Sequence, residues 1–142
     1  MASNSDDKQI TFNLSGSLSE LDRLSDKLKM VGERWNIGEK TVLQMNLALD
    51  ELFTNVVNYG IDNQAHQQIS FTLDHCGEEI TIVVTDGGKP FDPTRAPEPE
   101  LNLPLHKQPV GGLGIFLMRQ YTDKIEYRRE NEKNIVTLIK KI

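Results

Sequence analysis

Apolar residues recur at Val42, Met45, Leu49, Leu52, Phe53 and Val56, steps of three and four that mark the buried stripe of an amphipathic helix. The helix is expected to open at Gly38-Glu39 and to close at Tyr59-Gly60, with Gly60 placed for a C-terminal cap. A second ridge carries Gln44, Ala48, Glu51, Asn55 and Asn58, so Glu51 and Asn55 point the same way, one turn apart. Upstream, Gln9 to Leu14 alternates as a strand. Ser17 with Glu20 has the spacing of a capping box ahead of Leu18, Leu21, Leu24, Leu28 and Val31, which predicts a helix to about Trp35.

Downstream, Gln68 to Asp74 and Glu79 to Thr85 read as a hairpin about Cys76-Gly77-Glu78. The second of these strands is apolar enough to be central and covered on both faces. Residues 87–112 lack periodicity and hold all six prolines, from Pro90 to Pro109. Such a long segment within a compact domain reads as a functional lid or a disordered insert; as a lid it is expected to be mobile from about Thr94 to Pro109 when its site is empty. Helical spacing returns over 114–121, and strands Lys124–Arg129 and Asn134–Lys140 finish the chain. The order strand, two helices, two strands, lid, helix, two strands predicts an α/β (α+β) two-layer sandwich. Its helices should cover one face of a mixed, mainly antiparallel sheet.

At 142 residues the chain fits one domain, 1–142, behind a polar leader of residues 1–8. No run approaches the roughly 18 apolar residues of a membrane span, and the start does not resemble a secretory signal. A single cysteine, Cys76, points to the cytoplasm, and a net charge of -5 argues against direct nucleic-acid binding. His66 and His75 read as surface residues, Cys76 as inert, and Lys140-Lys141 as a solvated strand end.

Three stretches carry candidate chemistry. A carboxylate and a carboxamide stacked on one helix face can accept a proton and ligate a hard cation, which suits Glu51 and Asn55; each could equally be solvated surface. Asp86, where a buried strand runs into Gly87-Gly88-Lys89-Pro90-Phe91-Asp92, can accept a hydrogen bond from an exocyclic amine while the glycines admit a planar ring. Asp-Gly-Gly is also a common turn. Gly111-Gly112-Leu113-Gly114-Ile115-Phe116 is glycine-rich and opens a helix, as anion sites do, without the Gly-Lys-Ser/Thr of a P-loop.

In this order and spacing the three stretches resemble the N, G1 and G2 boxes of the GHKL superfamily of ATP-binding domains, from about Ile10 to the end. Asp86-x-Gly88-x-x-Phe91-Asp92 and Gly111 to Phe116 most resemble the anti-sigma-factor serine/threonine kinases. The resemblance implies ATP beneath a lid, with Mg²⁺. Its implied partners are an antagonist protein phosphorylated on serine or threonine and a sigma factor, and many such relatives are homodimers. It implies Glu51 as the base for the attacking hydroxyl, Asn55 as the Mg²⁺ ligand and Asp86 as acceptor of the adenine amine, with Gly88 giving the ring room. It further implies Gly112, Leu113 and Gly114 as phosphate-facing amides and Thr137 as support for adenine recognition beside Asp86. Asn58, Phe91, Gly111, Ile115 and Phe116 complete the implied nucleotide site.

Asn58 and Tyr59 stand where many relatives carry a basic residue, which leaves phosphate charge to Mg²⁺, amides, or Lys89, His106 and Lys107. A competing reading is a module that sequesters a regulatory partner and uses nucleotide only as a conformational ligand. The catalytic half of a sensor histidine kinase fits less well, since none of the three histidines lies in a long expected helix.

Overall fold

The computed structural model describes residues 8–60, 67–95, 116 and 118–142. Five strands form one sheet in the order β1-β2-β3-β5-β4: β1 is Gln9–Ser15, β2 Gln68–Cys76, β3 Glu79–Asp86, β4 Lys124–Glu130 and β5 Lys133–Lys141. Every pairing is antiparallel, so the mixed sheet of the sequence reading becomes a wholly antiparallel one among the described strands. The two hairpins explain most of this. In the first, Gly77 takes φ 60, the left-handed region that favours glycine. In the second, Asn131 and Glu132 are both left-handed, at φ 52 and 63, as a two-residue type I′ turn requires.

Helices α1, Leu21–Trp35, and α2, Glu39–Asn55, cover one face of the sheet. Alternation along each strand supplies the other half of the core: Ile10, Phe12 and Leu14 on β1, Ile69, Phe71 and Leu73 on β2, Ile80, Ile82 and Val84 on β3, and Val136 and Leu138 on β5. Phe71 stacks on Phe12 at 5.0 Å and meets Phe53 of α2 at 6.2 Å, which fixes α2 over the sheet. β3 is central, as expected, but it is buried on the helix side only; Thr81, Val83 and Thr85 are half-exposed on the other face. The apolar run was therefore a strand with one buried face and a β-branched outer face.

Three local expectations change. Ser17 caps a short 3₁₀ turn, Leu18–Glu20, by accepting from the Ser19 amide, and Glu20 turns instead to Arg23 at 3.1 Å. His75 is half-buried rather than a surface residue, packed 5.3 Å from Trp35, and its buried Nδ1 has no hydrogen-bond partner among the described residues. Lys140 is buried because it continues the core-facing row of Asn134, Val136 and Leu138, whereas Lys141 is exposed. No helix among the described residues is long and apolar enough to cross a membrane.

Candidate functional site

The site forms where the end of α2 meets the end of β3. Beyond Asn55 the helix widens into a π turn over Val56–Gly60, so Gly60 does not act as a left-handed cap. The Gly60 carbonyl instead accepts from the Lys89 amide at 2.6 Å. Gly88 lies against the same peptide: a Cβ built there would fall 2.1 Å from Gly60 O and 2.7 Å from Gly60 C. The turn after β3 and the end of α2 are thus in direct backbone contact, which only glycine permits at residue 88.

On α2, Asn55 is buried and Glu51 half-buried. Asn55 Nδ2 donates to the Glu51 carbonyl at 2.7 Å. The amide's donor end is therefore tied to the helix, and Oδ1, which receives no hydrogen bond among the described residues, is the end left to a hard cation. Those residues fit a divalent ion of the Mg²⁺ type. The Glu51 carboxylate accepts no hydrogen bond among the described residues. Asn58, expected on the same ridge, is exposed, since the π turn breaks the 3.6-residue phase after Asn55.

The neighbouring Asp50 is pushed up to about 6, first by burial, then by the charge of Glu51, against a 3.0 Å hydrogen bond from Asn46 Nδ2. A carboxyl whose folded-state value lies above its ordinary 3.8 binds protons more readily folded than unfolded, so its charging costs stability as pH rises through 4 to 6. Asp50→Asn should therefore raise stability at pH 7 by about 1 kcal/mol after solvent screening at this half-exposed position. The gain should disappear as pH falls towards 4. Urea unfolding of both proteins at pH 7 and pH 4 checks the sign.

At the end of β3, Asp86 is 3% exposed and lies on the core-facing row. Oδ1 accepts from the Gly88 amide at 2.9 Å and from Asn134 Nδ2 at 3.0 Å; Oδ2 receives nothing among the described residues. Phe91 is half-buried, and its amide donates to Asn134 Oδ1 at 3.3 Å. Thr137 is not brought to this cluster. The register pairs it with Val83 and Glu126 on the half-exposed face, because it lies three residues, an odd step, beyond Asn134. Asn134, directly opposite Asp86, holds the place the sequence reading gave to Thr137. Phe116 is helical and half-buried. Gly111, Gly112, Leu113, Gly114 and Ile115, and the lid beyond Arg95, lie outside the described residues.

A buried carboxamide oxygen and an adjacent carboxylate on one helix, joined through glycine to a buried aspartate with one oxygen to spare, are groups of the kind a nucleotide and its cation can use. A family model described as a histidine kinase-like ATPase domain matches residues 14–140. The chain belongs to this family. Among relatives of this histidine kinase-like ATPase domain, the serine/threonine-protein kinase BtrW of Bordetella bronchiseptica is 30% identical over 106 residues, 75% of this chain and 73% of that protein. The serine-protein kinase RsbW of Halalkalibacterium halodurans is 31% identical over 91 residues, 61% of this chain and 55% of that protein. An anti-sigma F factor of Clostridium botulinum is 26% identical over 104 residues, covering 70% of each.

The match takes in α2, β3 and β5, the elements that build the site. Within this histidine kinase-like ATPase domain, sequence reasoning missed Asn134, Tyr127 and Arg129. Tyr127 OH donates to Asn134 Oδ1 at 2.6 Å, and Arg129 Nη1 donates to Gly88 O at 2.7 Å. One signal could have found the first: Asn134, Val136 and Leu138 share a strand row, and a carboxamide on an apolar row must be hydrogen-bonded.

Proposed function

We propose that this chain is an ATP-dependent protein serine/threonine kinase that acts as an anti-sigma factor in a partner-switching system. It sequesters a sigma factor and phosphorylates an antagonist protein on serine or threonine. The observation that carries the reading is the backbone junction at Gly60, Gly88 and Lys89, which joins the helix bearing Glu51 and Asn55 to the turn bearing Asp86. The names of the relatives, two serine or serine/threonine kinases and an anti-sigma factor, support the same reading.

Each residue then has a task set by its chemistry. Asp86 Oδ2 accepts the exocyclic amine of adenine, and Gly88 keeps the turn low enough for the ring to approach. Asn55 Oδ1 would hold Mg²⁺, which would supply positive charge to offset that of the phosphates. Bound ATP supplies the transferable phosphoryl group. Glu51 takes the proton from the attacking serine or threonine hydroxyl, so that the oxygen bonds to phosphorus as the ADP oxygen leaves. Phosphoryl transfer of this kind depends mainly on positioning and charge neutralisation, and a helix braced by Phe53 on Phe71 positions its groups rigidly. The reading also makes the protein cytoplasmic and is compatible with a homodimer.

The test is transfer from γ-labelled ATP into proteins of the source organism's extract, with the labelled protein isolated and its modified residue mapped. Phosphoserine or phosphothreonine formed by the wild type and absent with Glu51→Ala is the expected result. ATP that alters partner binding with no phosphate transferred would instead make the chain a nucleotide-responsive sequestering module.

A further inference from the structure

Asn134 is 2% exposed and makes five hydrogen bonds around the turn after β3. Its Nδ2 donates to Asp86 Oδ1 at 3.0 Å and to Lys89 O at 2.7 Å. Its Oδ1 accepts from Tyr127 OH at 2.6 Å, Arg129 Nη1 at 3.0 Å and the Phe91 amide at 3.3 Å. The carboxamide cannot be reversed: a flip would set its oxygen against a carboxylate and a carbonyl, and its NH₂ against the Arg129 guanidinium and the Phe91 amide, which can only donate. Asparagine alone offers two donors on one atom and an acceptor on the other at this reach, so the orientation of the whole cluster follows from this side chain.

Two consequences bear on Asp86. With Oδ1 held by Asn134 and by the Gly88 amide, the carboxylate has one fixed rotamer and presents Oδ2 as a single acceptor. The turn is held as well, at Gly88 O by Arg129, at Lys89 O and Phe91 N by Asn134, and at Lys89 N by Gly60. A single fixed acceptor suits a 6-amino purine. A carboxylate free to pivot could present both oxygens to the adjacent N1–H and 2-amino donors of a 6-oxo purine, the bidentate geometry that guanine rewards.

We propose that Asn134 is a specificity-determining positioning residue, which selects 6-amino over 6-oxo purine nucleotides by locking Asp86 and the turn behind it. The proposal rests on the reading of Asp86 as the base acceptor. Tyr127 and Arg129 act through Asn134, as donors that keep its oxygen turned away from Asp86.

The test measures dissociation constants of ATP and GTP, by competition against a fluorescent ATP analogue, for wild type, Asn134→Leu, Asn134→Asp and Tyr127→Phe, with thermal unfolding in parallel. Asn134→Leu should bind ATP more weakly and lower the ATP:GTP preference about tenfold, the effect of losing roughly one good hydrogen bond's worth of discrimination. Tyr127→Phe should shift the preference in the same direction by less, and it keeps the proposal testable if the leucine variant fails to fold. Asn134→Asp sets a second carboxylate against Asp86 while keeping the acceptor for Tyr127, Arg129 and Phe91. Its ATP preference should be low at pH 8 and recover towards pH 5.5, as one proton shared by the pair restores a donor to Asp86. Among the described residues, the charged or titratable side chains hydrogen-bonded to that pair are Tyr127 and Arg129 on β4; Lys89 meets it through its backbone carbonyl, and Gly60 of the π turn brings no side chain. Folded variants that keep the wild-type preference at every pH would overturn the proposal alone. A wild type that binds neither nucleotide would overturn the reading of Asp86, and the proposal with it.

Discussion

Glu51→Ala should bind ATP as tightly as the wild type and transfer its phosphoryl group about 10²–10⁴-fold more slowly, the usual contribution of a positioned general base. The separation of effects follows from the geometry. Glu51 is half-buried with no side-chain hydrogen bond among the described residues, so truncating it strands no partner and leaves α2 intact. Its backbone carbonyl, which alanine retains, still receives Asn55 Nδ2 at 2.7 Å, so Asn55, the proposed cation ligand, keeps its orientation. Single-turnover transfer to the mapped substrate, beside equilibrium ATP binding, distinguishes the two steps. Unchanged transfer would remove Glu51 from the chemistry.

Gly88→Ala should produce the largest loss among the glycines of the junction. Its Cβ would fall 2.1 Å from Gly60 O and 2.7 Å from Gly60 C, against backbone rather than a side chain that could swing aside, with Asp86 Oδ1 at 3.0 Å. Either the turn or the π turn must move, at a cost of about 1–3 kcal/mol, and the Lys89 N–H bond to Gly60 O lengthens with it. ATP affinity should fall by about 5- to 150-fold if that cost appears in binding. Gly60→Ala is the control: a Cβ there meets nothing within 4 Å, and the residue is outside the left-handed region, so stability and binding should hold. Thermal unfolding and ATP titration of the two variants compare them directly; equal behaviour would mean that the junction is not a tight fit.

The helix ridge was legible because Glu51 and Asn55 are four apart on a strongly patterned helix, and the structure keeps them on consecutive turns. Asn58 was not, because the change from α to π geometry after Asn55 leaves no mark in apolar spacing; Val56 and Val57 are both buried. The hairpins and strand order of neighbours were legible from turn residues and alternation. That β5 lies between β3 and β4 was not, since no local pattern records which edge a returning hairpin takes.

The assignment of Thr137 shows the limit of a motif without register. Hydroxyl chemistry suited a place beside Asp86, but a strand side chain changes face at every residue, and Thr137 is an odd step from Asn134, which pairs with Asp86. Asn134 was readable in principle as a polar residue on an apolar row. Its partners Tyr127 and Arg129 were not, because the register of β4 on β5 is fixed by a two-residue turn whose left-handed residues, Asn131 and Glu132, stand in a stretch with no glycine.

The central claim is that α2 and the Asp86 turn form one Mg²⁺-dependent ATP site, and calorimetry of ATP binding tests it most directly, with and without Mg²⁺, on wild type and Asn55→Ala. The account predicts binding by the wild type that strengthens with Mg²⁺, and loss of that metal-dependent gain in the variant. Absence of ATP binding by the wild type, or a Mg²⁺ gain unchanged by Asn55→Ala, would contradict it.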